Sequence, residues 1–249
     1  MNYDSLQASY WQDQISRITA LRDKISAAPD LQSGRVVPDD DDLAIGQGKR
    51  LPMAVLFLDI SGFSNRRSET EEEQGLILKI LNLFFTEMIR IAEEYGGTVE
   101  KNTGDGLMAY FEDGGGTPSE TGSKRAVACA LTMMAANDHL IKPILQATPA
   151  PEIMFRISID YGTVTVARLG APRRFNSNVA IGATANFACK MLSFAGPGDI
   201  VIGATARLQL PGSWYQFTKP MDVMTGWSYL KSGLPYILYK YTGRWSTLT

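Results

Sequence analysis

The chain has a single histidine, His139, and two cysteines, Cys129 and Cys189, in 249 residues. One imidazole cannot build a histidine metal centre, and its place in an apolar helical stretch suggests a structural role. The cysteines stand alone in apolar helical patterns, without the paired spacing of a zinc site or disulfide framework. Both are expected to be buried, reduced thiols. Basic clusters are also missing: 24 Lys and Arg balance 26 Asp and Glu, for a net charge of −2. That excludes a broad surface for duplex nucleic acid. No apolar run approaches the ~20 residues that cross a bilayer, so no membrane span is expected. The opening MNYDSLQASYWQ lacks the basic and apolar regions of a signal peptide. The expected compartment is the cytosol.

Apolar residues are present in ordinary amount, enough for a full core. Leu6, Tyr10, Ile15, Ile18, Leu21 and Ile25 recur at helical spacing after Asp4 and Ser5, either of which suits an N-cap. Residues 1–28 therefore read as an amphipathic helical arm. Residues 29–50 read as a linker, broken by Pro29 and Pro38. Its acidic run, Asp39 to Asp42, is expected to be a solvated loop. The main domain, 51–249, opens on the buried strand MAVLFLDI. A helix over 70–95 ends at Gly96 and Gly97. A hairpin follows, with residues 98–101 and 107–111 as strands and Asp105 at the tip. After a glycine-rich loop over 114–122 comes a second amphipathic helix, 123–141. Residues 153–160 and 163–168 read as a strand pair joined at Gly162. A third helix over 182–194, a strand over 200–202 and two late strands near 214–217 and 235–241 complete the order. The fold class predicted is α+β, a ferredoxin-like sandwich with an N-terminal amphipathic helix.

Two aspartates interrupt this apolar pattern. Asp59 ends the first strand, and no nearby Lys or Arg serves it in sequence. Asp105 lies between two glycines. A strand-end Asp that caps a turn, or an ordinary Asp-Gly hairpin, would each be unremarkable alone. Together on neighbouring strands, the two carboxylates converge on a hard-oxygen site for Mg²⁺ or Mn²⁺ with a triphosphate. The turn from Ile60 to Ser64 leads toward a helix. Its backbone N–H groups at Gly62 and Phe63 suit phosphate oxygens, and Gly62 allows close approach.

These segments resemble a known family. LFLDISGFS is similar to the metal and phosphate motif of class III adenylate and guanylate cyclases, and GGTVEKNTGDGLMAYF to their second metal hairpin. RISIDYGTVTVARLG resembles the next strand pair, and IGATANFACKM the helix that carries their Asn and Arg. The order matches from Met53 to Ile202. The resemblance implies a homodimer with shared active sites that cyclises a nucleoside triphosphate using two metal ions per site. It makes Asp59, Asp105 and the Ile60 carbonyl the metal ligands, with Lys101 and Val179 at the base-reading positions. Asn186 becomes the ribose-positioning residue, and Lys190 stands where the family has Arg. Lys190 keeps the charge but loses the bidentate fork. The segment 176–178 reads as a loop one residue longer than usual, which leaves Asn178 as the alternative to Val179.

Lys101 offers only donors and Val179 nothing polar, so an exocyclic amine finds no acceptor. That favours uracil, which has carbonyls and no amine; cytidylate cyclase is the second reading and adenylate cyclase the third. The pattern, with its N-terminal helix and VPDDDD linker, also resembles the pyrimidine cyclases of the Pycsar anti-phage system. Such a product would be read by a separate cyclic-nucleotide effector. Two other readings compete. A catalytically dead cyclase-like dimerisation module is favoured by Lys190 and opposed by both retained aspartates. A diguanylate cyclase lacks its GGDEF-like run here.

Overall fold

The computed structural model describes residues 4–26, 48–63, 69–102, 104–113, 120–147, 151–171, 175–229 and 232–246. Pro29, Pro38, the acidic run, Ser64, Thr103 and most of the glycine-rich loop lie outside them. Eight strands form one sheet in the order β2-β3-β1-β4-β6-β8-β7, with β5 also paired to β4. Among the described residues no helix is long and apolar enough to cross a membrane.

Strand β1 (Gly48–Ile60) occupies the centre because its side chains are apolar on both faces, with Met53 to Leu56, Leu58 and Ile60 buried. It begins inside the stretch read as linker. It pairs antiparallel with β3 (Gly106–Glu112) on one side and β4 (Phe155–Ala171) on the other. The hairpin of β2 (Thr98–Asn102) and β3 is as expected, with an irregularity between Val99 and Lys101. Helix α2 (Glu71–Glu94) starts at a capping box, in which Thr70 accepts from the Glu73 N–H and Glu73 reaches back to the Thr70 N–H. Three glutamates in its first turn favour the positive end of the helix dipole.

Helix α1 (Ala8–Ser26) packs on α2. Trp11 and Ile18 are buried, and Gln14 and Arg17 both donate to Glu87, whose carboxylate is buried. Burial raises the Glu87 pKa against the lowering effect of those two donors. Helix α3 (Gly122–Ala136) runs into a π turn at Asn137–Ile141 and then α4 (Lys142–Gln146).

The structure corrects several readings. Helix α3 is buried on every side rather than amphipathic. Two of its polar groups are met by other parts of the chain: Asp4 pairs with Lys124 at 2.7 Å, and Trp245 Nε1 donates to Thr132 Oγ1 at 2.9 Å. The predicted strand pair at Gly162 is one continuous strand, β4. Gly162 makes no turn; a Cβ there would collide with Thr184 Oγ1 of α5 (Ala183–Met191), so glycine is needed for a close approach. Residues 176–178 are not a loop but part of β5 (Phe175–Ile181), which returns antiparallel along the far half of β4. The segment read as a late strand near 214–217 is a 3-10 turn. The strands around it are β6 (Ile200–Gly203), β7 (Thr218–Pro220) and β8 (Leu238–Tyr241), with α6 (Ala204–Leu208) after β6. Cys129 is buried, but Cys189 is exposed because α5 turns that face outward.

Candidate active site

The register of β1 brings the two aspartates together. Asp59 stands opposite Gly106, the residue after Asp105, and the Ile60 N–H donates to the Asp105 carbonyl at 2.9 Å. Both residues therefore lie at one end of two adjacent strands, with Ile60 between them. The chain then turns: the Ser61 N–H donates to the Met154 carbonyl at 2.8 Å, and Gly62 adopts φ 69°. That left-handed conformation favours glycine. Ser61 Oγ is buried and has no hydrogen-bond partner among the described residues.

Asp59 does have a cationic partner, which corrects the sequence reading. On its other side β4 places Arg156 directly opposite. Arg156 Nε and Nη2 both reach Asp59 Oδ2, at 2.9 and 2.7 Å. A third bond joins Arg156 Nη1 to the Ala195 carbonyl at 3.3 Å. Arg156 is 97 residues from Asp59, so sequence proximity could not reveal it. The available signal was the oddity of an Arg within an apolar strand run. Both short contacts fall on Oδ2, which leaves Oδ1 clear of the guanidinium.

Among the described residues no three His, Cys, Asp or Glu side chains gather. The residues that could hold a metal here are the Asp59 and Asp105 carboxylates with the Ile60 carbonyl, beside the turn that carries Ser61. These hard oxygens suit Mg²⁺ or Mn²⁺ whose remaining positions are filled by phosphate and water.

Asn186 and Lys190 are both exposed and lie one turn apart on α5, on one face of the helix. No described hydrogen bond or ion pair joins either to Asp59 or Asp105. The β2 register sets Lys101 against Met108, and the β5 register sets Val179 against Ala167 and Asn178 against Arg168. The backbones of β2 and β5 come into contact. Phe63 lies half-buried against the main core.

A second buried carboxylate escaped the sequence reading. Asp160 on β4 is 2% exposed and accepts hydrogen bonds from Thr205 Oγ1 and the Tyr236 hydroxyl. Burial pushes its pKa up to about 6, although those donors lower it.

Residues 48–228 match the family described as the adenylate and guanylate cyclase catalytic domain. The chain belongs to this family. An adenylate cyclase of Anabaena cylindrica is 29% identical over 154 residues, which is 61% of this chain and 29% of that protein. A uridylate cyclase of Rhodovulum sp. (strain MB263) is 25% identical over 167 residues, 64% of this chain and 66% of that protein. The chain thus spans under two thirds or about two thirds of these relatives' lengths. Among solved structures, the adenylyl cyclase CyaB from P. aeruginosa is 26% identical with a TM-score of 0.61, covering 82% of this chain and all of that one. The guanylyl cyclase Cya2 superposes with a TM-score of 0.65 at 23% identity, covering 79% and 94%. The fold of this class III nucleotidyl cyclase domain is that of these catalytic domains.

Proposed function

We propose that this cyclase converts UTP to 3′,5′-cyclic UMP and diphosphate, and that the product serves as an anti-phage second messenger read by a separate effector. The observation that carries catalysis is the meeting of Asp59 and Asp105 beside the Ile60 to Gly62 turn. In the reaction the ribose 3′-oxygen bonds to the α-phosphorus, the bond to diphosphate breaks, and the 3′-hydroxyl proton is lost. Asp59, Asp105 and the Ile60 carbonyl would hold two Mg²⁺ or Mn²⁺ ions per site. When bound, these ions neutralise the triphosphate and make the 3′-hydroxyl a better nucleophile. The N–H groups of Gly62 and Phe63 face phosphate oxygens, Asn186 orients the ribose, and the Lys190 ammonium offsets charge that develops on the phosphate.

The enzyme works in this reading as an isologous homodimer in the cytoplasm. One protomer provides Asp59 and Asp105; the other provides Lys101, Val179, Asn186 and Lys190. The exposure of Asn186 and Lys190 on one face of α5 supports that division, because it leaves both open to a second chain. Uracil is favoured because Lys101 only donates and Val179 does not accept; an unpaired exocyclic amine costs about 1–3 kcal/mol. The uridylate cyclase relative supports the same base, while the Anabaena relative supports ATP as the third reading, after CTP. Cytosine fits as well as uracil if Asn178 reads the base, since its amide both donates and accepts. The test offers Mn²⁺ and each of the four ribonucleoside triphosphates separately to the purified protein, then equal UTP, CTP and ATP in competition. Mass spectrometry should find mainly cyclic UMP. Mainly cyclic CMP would reverse the ranking, and mainly cyclic AMP would end the pyrimidine reading.

A further inference from the structure

Asn186 and Lys190 stand on a helix of only nine residues. So short a helix has little stability of its own in water, and its placement must come from tertiary contacts. Toward the sheet these are secure. Ala185 and Ala188 are buried, Ser158 Oγ donates to the Ala188 carbonyl at 2.6 Å, and Thr184 closes over Gly162. The flank of α5 is held differently. Phe187, between the two polar residues, stacks on Trp227 with ring centroids 5.0 Å apart and planes 14° from parallel. Phe194, just after α5, meets the same indole edge-on at 5.8 Å.

Trp227 belongs to the excursion between β7 and β8. Its carbonyl accepts from the Tyr236 N–H at 2.9 Å, and its own N–H donates to Thr225 Oγ1 at 3.1 Å. Tyr236 in turn lies 5.5 Å from Phe187, and its hydroxyl is fixed by Asp160 and Thr205. The outer side of the excursion is open, with Met224 98% exposed. The indole is therefore the point at which a lightly packed segment grips the flank of α5.

We propose that Trp227 is a positioning residue: through Phe187 it sets the orientation of α5, and with it the reach of Asn186 and Lys190 toward the partner's aspartates. The proposal rests on the shared-site dimer described above, and mixed dimers separate the two. Combining an Asp59→Ala chain with a Lys190→Ala chain leaves one intact site, built from the aspartates of the second and α5 of the first. Trp227→Ala is then added to one chain or the other. On the Asp59→Ala chain, which supplies α5, it should cut the recovered kcat by about tenfold or more, as small misplacements do. KM should change little, and Trp227→Phe, which keeps the stack, should restore most of the rate. On the Lys190→Ala chain, which supplies the aspartates, the same change should leave the rate within about twofold. Equal losses on both chains, or no loss on either, overturn the positioning role. If the parental mixture recovers nothing despite proven subunit exchange, the shared-site reading fails instead. The Trp227→Ala homodimer then decides what survives: a folded variant with normal kcat overturns any positioning role, and a kcat loss rescued by Phe keeps the positioning of α5 while overturning its reach to a partner.

Discussion

Replacing Asp160 with Asn should remove a pH dependence of stability that the wild-type chain carries between about pH 4 and pH 6. Burial raises this carboxyl from 3.8 to about 6, despite donors at Tyr236, Thr205 and the Tyr161 backbone. Within that window the native state holds the proton while the unfolded state has lost it. Stability therefore falls as pH rises, and the full cost is present at pH 7. A shift of about two units corresponds to roughly 3 kcal/mol. Because the group is almost fully buried, solvent screening takes little from that figure. Asn keeps an oxygen acceptor for Tyr236 and Thr205 but cannot ionise. Urea unfolding of both proteins at equal concentration, from pH 4 to pH 7, isolates the effect, since the other groups titrate alike in the two. The variant should gain about 3 kcal/mol on the wild type across that range. A difference that stays flat, or moves the other way, refutes the reasoning.

Asp59→Ala and Asp105→Ala should each abolish cyclisation while near-UV circular dichroism stays native; near-normal turnover with Mn²⁺ in either would contradict the two-aspartate site. Val179→Asp should raise turnover of ATP or CTP relative to UTP in the competition assay, because it supplies the missing acceptor. Lys101→Ala should lower UTP turnover far more than it lowers the melting temperature. Arg17→Ala removes one of two donors to the buried Glu87 and should destabilise the chain by about 1–3 kcal/mol in urea unfolding.

The centre of the candidate site was legible because each aspartate is locally anomalous. A carboxylate inside LFLDI, and another between glycines, can be noticed without knowing what lies beside them. Arg156 and Asp160 are equally anomalous in FRISID, yet their partners come from β1, α6 and the segment before β8. Nothing near them in sequence names those partners. Gly162 misled for a related reason. Glycine after a strand pattern reads as a turn, whereas here it serves Thr184 on another element. The stretch read as one helix over 123–141 looked amphipathic because Lys124, Thr132 and Asn137 are polar. Their partners, Asp4 for Lys124, Tyr95 and Trp245 for Thr132, and the Ile153 carbonyl for the Asn137 Nδ2, are distant in sequence. The β-hairpin and α2 were read correctly because their turn and cap signals are local.

Strand β4 works as a rail shared by distant parts of the molecule. Its first half aligns Arg156 with Asp59 and meets β6; its second half carries β5 and Val179. Adding or deleting one residue along it would throw every later position onto the opposite face of the sheet. An insertion before Gly162 would also pull the strand out of step with β1 and with Thr184. The length of β4 is therefore locked by several unrelated fits at once. If Lys101 and Val179 read the base as proposed, a change of base has to come from exchanging side chains on β2 and β5, since the rail beneath them cannot be respaced.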